Sequence, residues 1–295
     1  MKINVNTLIS QEKIKFDNYY EKLLKSLLPK NELSRAILYS SMNGGKRIRP
    51  FIVSVFSKIG KVNRRRYFRL AAAIESIHTY SLIHDDLPCM DDDDYRRGKL
   101  SLHKKYNEAI AILAGDALHD MAFEIISNDK THTSSNVRIN LIDNLAKITG
   151  SKGLAGGQSL DLLYENKKTK KNEIIKMYLM KTSALFSFCC SAPFILANKS
   201  YEDIAFAKKY GELYGLIFQI VDDIIDETES FNKLGKTPGK DKIKGKSTLI
   251  AQTNKENAIK FCNIKIDKFI KSNKKYFNKW KILEIILLQS LNKFK

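Results

Sequence analysis

Apolar residues recur at three- and four-residue spacing along most of the chain, as they do on the buried face of a helix. This pattern predicts helices over seven stretches: 12–28, 46–60, 66–87, 104–127, 173–190, 202–228 and 256–292. No stretch shows the apolar–polar alternation that is typical of a half-buried strand. The sequence therefore predicts an all-α fold, in which the polar breaks at 127–136 and 164–173 form loops between helices.

The apolar content is sufficient for a large core, but it is not arranged as in a membrane protein. The chain has 295 residues, of which 43% are hydrophobic, and its longest nearly apolar run, 184–197, has 14 residues. A membrane-spanning helix needs about 20, so we expect a core helix there and no stable membrane insertion. The N-terminal residues have no apolar signal core, which favours a cytoplasmic protein. Length alone favours about two domains.

The formal net charge of +19 is compatible with a nucleic-acid or membrane partner. The basic excess is spread along the chain, however, and it comes with many Asn and Ile residues. Because Lys, Asn and Ile share A/T-rich codons, genomic base composition explains the charge without any partner. We therefore expect no nucleic acid to bind, although the segment 273–281 combines aromatic and basic residues.

Aspartates are concentrated at two places in this basic chain. The stretch "HDDLPCMDDDDYRRG" (84–98) contains six aspartates, and "IVDDIID" (220–226) repeats its beginning in reduced form. Each motif follows a long apolar helical run. Asp222 and Asp226 are four residues apart, so their carboxylates share one face of a helix.

Hard carboxylate oxygens select Mg²⁺, Mn²⁺ or Ca²⁺ rather than zinc, and the chain has no D-x-[DN]-x-[DN]-G calcium loop. Mg²⁺ is usually held by one or two carboxylates, with substrate phosphates completing its shell. Two clusters on facing helices would therefore bracket Mg²⁺ ions with a diphosphate between them. A solvated acidic helix end could account for either cluster alone, but it accounts less well for the presence of both. Within the first cluster it suits Asp92, Asp93 and Asp94, which cannot all face one site.

Basic residues stand close to these aspartates or precede them. The motif "GGKRIRP" (44–50) places Lys46 and Arg49 just after two glycines, where the backbone can approach a ligand closely. Arg96 and Arg97 follow the first aspartate motif. Arginine suits phosphate oxygens bidentately, and lysine acts as a point charge. Taken alone, "GGKRIRP" could equally be an ordinary helix start rather than a phosphate site. Arg96 and Arg97 could equally be an ordinary salt-bridging pair.

In their order along the chain, these motifs resemble those of the trans-isoprenyl diphosphate synthases. The resemblance covers about residues 35–250 and includes "ESIHTYSLIHDD" (75–86), "LAGDAL" (113–118), "GGQSLD" (156–161), "KT" (181–182), "FQIVDDIID" (218–226) and "GKST" (245–248). The chain departs from the family at Leu249 and Ile250, where Tyr-Pro is usual. The resemblance implies one all-α domain over residues 1–295, a helical bundle around a deep central cavity, which usually forms a homodimer.

The resemblance also implies a reaction. Isopentenyl diphosphate would condense head to tail with dimethylallyl and then geranyl diphosphate, through an allylic carbocation, to give farnesyl diphosphate. Water would quench the cation, so the site has to close, and the lysine-rich stretch 231–248 is the candidate lid. A terpene cyclase would not need "GGKRIRP", and a non-enzymatic basic binding protein would not need intact aspartate motifs.

The implied cofactor is Mg²⁺, with more than one ion per site. The direct metal ligands would be Asp85, Asp91 and Asp222, and the supporting carboxylates would be Asp86, Asp223 and Asp226. The groups that hold the allylic diphosphate would be Arg96, Lys181 and Lys246.

Isopentenyl diphosphate would be held by four side chains, namely Lys46, Arg49, His78 and Arg97. Without the resemblance, His78 would be interpreted as a core histidine. The groups facing the cation would be Thr182, Gln219 and the Lys181 carbonyl. Lys236 and Lys246 would lie on the lid.

Tyr80 lies five residues before Asp85, which is about 7.5 Å along a helix. A bulky ring there can stop a growing chain, although taken alone a core aromatic is the more common explanation. In the resembled family an aromatic residue at this position goes with a fifteen-carbon product. Tyr80 is therefore the expected length determinant, and the small Ser81 is a weaker one. A twenty-carbon product would instead indicate a geranylgeranyl diphosphate synthase.

Overall fold

The computed structural model of the chain describes residues 4–228 and 245–291. Its helices are α1 (Val5–Leu27), α2 (Glu32–Ser41), α3 (Ile48–Gly60), α4 (Arg64–Asp85), α5 (Leu102–Lys105), α6 (Glu108–Ser127), α7 (Ser135–Thr149), α8 (Leu154–Leu163), α9 (Lys171–Tyr178), α10 (Ala184–Leu196), α11 (Tyr201–Thr228), α12 (Leu249–Thr253), α13 (Lys255–Ser272), α14 (Lys274–Lys279) and α15 (Lys281–Gln289). A π-helical turn, Leu179–Ser183, joins α9 to α10. Within the described residues, strands are limited to one short ribbon that pairs Tyr95–Arg96 with Lys99–Leu100.

The all-α prediction is confirmed, and the predicted stretches correspond to observed helices with two kinds of difference. The prediction missed α2, α7, α8 and the short α12 altogether. It also treated 256–292 as one stretch, whereas the chain breaks there at Asn273 and Trp280 into α13, α14 and α15. The polar breaks at 127–136 and 164–173 do separate helices. Helix α6 ends at Ser127, and the second break lies between α8, which ends at Leu163, and α9, which begins at Lys171.

Helix α10 occupies the centre of the core. Every side chain from Leu185 to Leu196 is buried, as expected for a helix that is apolar on all sides. It packs against α3, α7 and α11. In the described part of the chain, the one helical run long and apolar enough to cross a membrane is Lys171–Leu196, and 78% of its most apolar window is buried inside the protein. That degree of burial is typical of a core helix.

Two long helices bring the aspartate motifs into the interior of the bundle. Helix α4 packs against α3 and α6 and ends at Asp85. Helix α11 packs against α10 and the π-helical turn and carries the second motif in its last two turns. Since both helices are anchored by buried apolar faces, their aspartate-bearing ends are fixed relative to one another.

Candidate functional site

Both aspartate motifs line one large cavity with a volume of about 430 Å³. Most of the residues that the sequence singled out border it: Lys46, Arg49, His78, Ser81, Asp85, Asp91, Arg96, Arg97, Lys181, Thr182, Gln219, Asp222, Asp223 and Lys246. Asp86, Asp226 and Tyr80 do not line it. Lys236 and most of the predicted lid lie outside the described residues.

The backbone after α4 explains how Asp91 comes to lie near Asp85. The chain turns back on the helix end, so that the amide of Asp91 donates to the carbonyl of Asp85 at 2.8 Å. The amide of Asp93 likewise donates to the carbonyl of Asp86 at 3.1 Å. These bonds direct alternate residues of the aspartate run toward the cavity, since Asp91 and Asp93 line it. Asp93 is buried rather than solvated, which corrects the expectation for that residue.

Arg96 neutralises the deepest carboxylates of the first motif. Its Nε donates to Asp86 Oδ1 at 2.9 Å, and a terminal nitrogen pairs with Asp86 and, at 3.3 Å, with Asp93 Oδ2. Burial nevertheless raises the pKa of Asp86 to about 6, although Arg96 opposes the shift. Burial also raises the pKa of Asp85. For both carboxylates the effect of burial exceeds that of the nearby cationic side chains, so further positive charge would favour the ionised forms.

The second motif presents one exposed and two buried carboxylates. Asp222 is exposed and lines the cavity, whereas Asp223 and Asp226 are buried. Asp223 Oδ1 accepts from Gln219 Nε2 at 2.8 Å, and its other oxygen accepts from the hydroxyl of Tyr178. Gln219 Oε1 in turn accepts from Thr182 Oγ1 at 2.6 Å. This chain of bonds fixes the amide of Gln219, so its orientation at the cavity wall is determined.

Two lysines face the first motif through a shared carboxylate. Lys181 Nζ lies 2.6 Å from Asp161 Oδ2, and Lys246 Nζ lies 3.5 Å from the same oxygen and 2.9 Å from Asp91 Oδ1. Burial alone would lower the pKa of Lys181, but Asp161 and Asp85 raise it above its ordinary value. Both lysines therefore carry positive charge at the side of the cavity bordered by Asp85 and Asp91.

The π-helical turn places Lys181 and Thr182 side by side at the cavity wall. Such turns are rare and frequently occur at functional sites. Gly157 of α8 permits this arrangement, because a Cβ at that position would lie 2.2 Å from the backbone nitrogen of Lys181. The second glycine of the "GGQSLD" motif is therefore explained by the close approach of α8 to the π-helical turn.

A second group of cations lies on the side of the cavity formed by α3 and α4. Arg49 is stacked over the ring of Phe186 at 4.6 Å, and its Nη1 lies 3.1 Å from His78 Nε2. Burial, with Arg49 next in effect, lowers the pKa of His78 well below its ordinary value. The imidazole is therefore neutral at pH 7 and accepts from the guanidinium. Among the residues that the structure describes, Arg49 Nε is buried without a hydrogen-bond partner, which leaves a donor for a ligand.

Arg97 reaches this group by lying against Gly45. Its Nη1 donates to the carbonyl of Gly44 at 2.9 Å, and a Cβ on Gly45 would lie 2.6 Å from its Cζ. The glycine pair was expected to bring the backbone close to a ligand. The structure shows that the close neighbour is instead the guanidinium of Arg97.

Gly45→Ala is expected to displace the Arg97 guanidinium and to raise the KM for the substrate bound there. The backbone at Gly45 has φ +97°, so alanine also adds strain of about 1–3 kcal/mol. Steady-state kinetics and thermal unfolding measure the two effects. If the KM effect acts through Arg97, then Gly45→Ala should add nothing to it in an Arg97→Ala background. Additive KM effects would contradict this explanation.

Residues 245–248 are anchored on the loop between α8 and α9. Ser247 Oγ lies 3.0 Å from the carbonyl of Tyr164 and 3.0 Å from Thr169 Oγ1. The amide of Asn166 donates to the carbonyl of Gly245 at 2.8 Å. These contacts hold residues 245–248 in place, which positions Lys246 over the first aspartate motif.

Tyr178 connects this segment to the second aspartate motif. Its hydroxyl donates to Asp223 and accepts from the amide of Leu249 at 2.9 Å. Burial, followed by the charge of Asp223, raises the pKa of Tyr178 well above its ordinary value, so that the hydroxyl keeps its proton. One side chain thus orients a candidate metal ligand and fixes the start of α12.

Tyr178→Phe is expected to cost about 1–3 kcal/mol of stability, because the amide of Leu249 loses a buried acceptor. It should also raise the Mg²⁺ concentration needed for half-maximal activity, because Asp223 is less firmly oriented. Tyr67→Phe is a matched control, since Tyr67 also donates a buried hydroxyl to a carboxylate, Glu12, at 3.2 Å. An unchanged Mg²⁺ requirement in Tyr178→Phe would show that the bond is only structural.

Tyr80 has a different environment from the other candidates. Its ring packs edge-on against His84 at 5.4 Å and His119 at 5.2 Å, between α4 and α6. Ser81 beside it does line the cavity. The tyrosine ring therefore lies between α4 and α6, whereas Ser81 borders the cavity.

Three residues of the site were not singled out in the sequence: Gln158, Asp161 and Tyr178. Gln158 lines the cavity, and both polar atoms of its amide are buried without hydrogen-bond partners in the described part of the chain. Gln158 and Asp161 belong to "GGQSLD", so this motif contained the necessary signal. Tyr178 belongs to no motif, and only its contacts identify it.

The donor set fits divalent magnesium. The first and second motifs supply carboxylate oxygens to one cavity from two different helices, α4 and α11, and such hard donors suit Mg²⁺. The raised pKa values of Asp85 and Asp86 show buried carboxylates for which nearby cationic side chains do not fully compensate. A bound divalent ion would supply that compensation.

Comparison with known proteins places this geometry in a family. Residues 30–283 match the model of the family described as polyprenyl synthetase. The chain belongs to the polyprenyl synthetase family. Members of this family are prenyltransferases, so the resemblance seen in the motifs is confirmed.

Individual relatives are similar over nearly the whole chain. The farnesyl diphosphate synthase of Bacillus subtilis (strain 168) is 38% identical over 273 residues, which cover 92% of this chain and 90% of that protein. Geranylgeranyl pyrophosphate synthase 11 of Arabidopsis thaliana is 41% identical over 222 residues, 73% of this chain and 62% of that protein. The solved structure of a Helicobacter pylori geranyltransferase, complexed with magnesium and isoprenyl diphosphate, has a TM-score of 0.84 and 31% identity, covering 99% and 98% of the two chains.

Proposed function

We propose that this chain is a farnesyl diphosphate synthase, which condenses isopentenyl diphosphate with dimethylallyl and then geranyl diphosphate. The observation that carries the proposal is the convergence of both aspartate motifs and two separate groups of cationic side chains on one cavity. Two substrates that each carry a diphosphate need two such groups. Farnesyl diphosphate synthases among the relatives, and the magnesium complex of a similar structure, support the same function.

The allylic diphosphate binds between the aspartate motifs in this proposal. The direct ligands of the metal site are Asp85, Asp91 and Asp222, and the supporting carboxylates are Asp86, Asp223 and Asp226. Mg²⁺ held by these carboxylates, with more than one ion per site, would neutralise charge on the leaving diphosphate oxygens. Lys181 and Lys246 add fixed positive charge beside Asp85 and Asp91. Arg96 acts mainly on the aspartates themselves, because its donors are engaged by Asp86 and Asp93.

Isopentenyl diphosphate binds at the second cationic group. Arg49 has a buried donor without a partner among the described residues, and Lys46, His78 and Arg97 border the same cavity. Because the pKa of His78 is lowered well below its ordinary value, the imidazole acts as a neutral hydrogen-bonding group. It positions Arg49 and does not contribute charge.

The carbocation is stabilised by oriented dipoles. Thr182 and Gln219 are held by a mutual hydrogen bond of 2.6 Å, and the carbonyl of Lys181 lies in the same turn. Preorganised dipoles of this kind stabilise developing charge without having to reorient. The released pyrophosphate serves as the base for the final proton.

Product length is the part of the proposal that Tyr80 decides. The wild-type chain, supplied with isopentenyl and dimethylallyl diphosphates, should yield mainly farnesol after dephosphorylation and chromatography. Tyr80→Ala should give a clear geranylgeraniol fraction, because removal of the ring that packs against His84 and His119 opens space between α4 and α6. Tyr201→Ala serves as a control, since Tyr201 is 87% exposed.

The second candidate function, geranylgeranyl diphosphate synthesis, is favoured by the similarity to geranylgeranyl pyrophosphate synthases. A mainly twenty-carbon product from the wild-type chain would establish it. An unchanged fifteen-carbon product from Tyr80→Ala would show that another residue limits the chain length. No isopentenyl incorporation at all would contradict both candidates.

The remaining features follow from the same proposal. The chain acts as one domain and as a homodimer in the cytoplasm, without nucleic acid and without stable membrane insertion. Ile112 and Leu113 support a dimer, because they are 44% and 52% exposed on adjacent positions of α6, where a partner would cover them. Light scattering on the purified chain tests this, with a mass near twice 33.8 kDa as the expected result.

A further inference from the structure

The aspartate run at 91–94 has an outer side that the proposed reaction does not use. Asp91 and Asp93 line the cavity, whereas Asp92 and Asp94 are exposed and do not line it. The outer pair lies next to His103 of α5. One ligand atom from each of these three side chains lies within 4.8 Å of the other two.

His103 is the unusual member of this cluster. Its side chain is 7% exposed, and its Nδ1 lies 3.2 Å from Ser101 Oγ. Nε2 is buried and has no hydrogen-bond partner among the described residues. Buried polar atoms in native proteins are nearly always paired with protein or with ordered water, so this ring nitrogen is open to a water molecule or an ion.

The orientation of His103 suits metal coordination. When Nδ1–H donates to the hydroxyl oxygen of Ser101, Nε2 keeps a lone pair, and such a bond is the usual means of fixing a metal-bound imidazole. The amide of Ser101 also donates to the carbonyl of Asp94 at 2.9 Å, which ties the aspartate run to α5.

We propose that Asp92, Asp94 and His103 form a second metal site, for a transition-metal ion such as Zn²⁺ or Co²⁺, outside the substrate cavity. Ligand bonds of about 2.0–2.2 Å place two ligand atoms about 3–4 Å apart, so a small inward movement of the two exposed aspartates completes the site. Imidazole nitrogen favours zinc and cobalt, whereas carboxylates alone favour magnesium. The site therefore differs from the aspartate motifs in the ion it selects.

Lys104 competes with the ion for Asp94. Its Nζ lies 2.9 Å from Asp94 Oδ1, and the side chain is 43% exposed. Exposed ion pairs of this kind contribute little to stability. The lysine can swing into solvent when the ion binds, so Lys104→Ala should tighten binding of the metal.

The test is a Co²⁺ titration of the full chain, with excess Mg²⁺ present to occupy the carboxylate-only sites. Bound Co²⁺ gives visible absorption bands, and equilibrium dialysis gives the number of ions. The wild-type chain should bind one Co²⁺ ion more than His103→Ala. Asp94→Asn should weaken this binding at least about tenfold. His132→Ala is the matched control, since His132 is also 7% exposed and lies elsewhere in the structure.

Asp92→Asn and Asp94→Asn keep the proposal testable if His103→Ala fails to fold, because both side chains are exposed. Equal stoichiometry and affinity in the wild type and in these two variants would overturn the proposal. None of these readouts depends on prenyl transfer, so the metal site and the proposed enzymatic function can fail independently.

Discussion

Asp85→Ala and Asp222→Ala are each expected to lower kcat at least about 100-fold, the loss typical of removing one preorganised stabiliser of developing charge. The two carboxylates line the same cavity from α4 and α11. In the proposed reaction each helps to bind the ions that draw charge from the leaving diphosphate. Removing Asp85 also leaves Lys181 with less compensating negative charge, so the loss at that position should not be recovered by a neutral replacement such as Asn. Steady-state kinetics at saturating Mg²⁺ measures it.

Asp143→Ala is the control for these variants. Asp143 is exposed on α7 and pairs with Lys147 one turn away at 2.6 Å, so its loss should change kcat by less than about twofold. Asp93→Ala should lie between the extremes, because Asp93 is buried and contacts Arg96. Equal and mild effects at Asp85, Asp222 and Asp143 would contradict the placement of the metal site.

Arg49→Ala is expected to raise the KM for isopentenyl diphosphate by about 10- to 100-fold, with a smaller effect on the allylic substrate. A buried hydrogen bond to a charged group contributes about 1.5–3 kcal/mol, which corresponds to that range. Lys181→Ala should show the opposite preference, since Lys181 lies beside Asp85 and Asp161 on the other wall. Initial rates with each substrate varied in turn separate the two KM values.

Arg138→Ala is the control for the arginine, because Arg138 makes its hydrogen bonds to the carbonyls of His132 and Thr133, away from the cavity. His78→Ala should resemble Arg49→Ala in weaker form, since the imidazole orients that guanidinium. If Arg49→Ala impaired only the allylic substrate, the two substrate positions would be reversed.

Hydrophobic periodicity predicted those helices that bury apolar faces in the core. Helix α7 was missed because its buried stripe is thin, consisting mainly of Val137, Leu141 and Leu145 among polar residues. Helix α8 was missed for another reason. It buries Gly157, Gln158 and Asp161, since this face meets the π-helical turn and the cavity rather than the core. Apolar spacing cannot detect a helix whose buried face is polar.

The motifs predicted most of the side chains that meet at the cavity, because each motif is local in sequence. They could not predict pairings between motifs. The bond from Tyr178 to Asp223 and Leu249 joins three separate segments, and no spacing in the chain indicates it. The contact of Arg97 with Gly45 is similar, since the two residues are far apart in sequence. The turn that follows α4 likewise decides that Asp91 and Asp93 line the cavity while Asp92 and Asp94 do not.

The central claim is that both aspartate motifs act through divalent ions on an allylic diphosphate. Its most direct test measures incorporation of radiolabelled isopentenyl diphosphate into prenyl products, first with EDTA and then after Mg²⁺ is restored. We predict no incorporation with EDTA and full recovery with Mg²⁺ for the wild type, but little recovery for Asp85→Ala or Asp222→Ala. Incorporation that persists in EDTA, or full recovery in both variants, would contradict the claim.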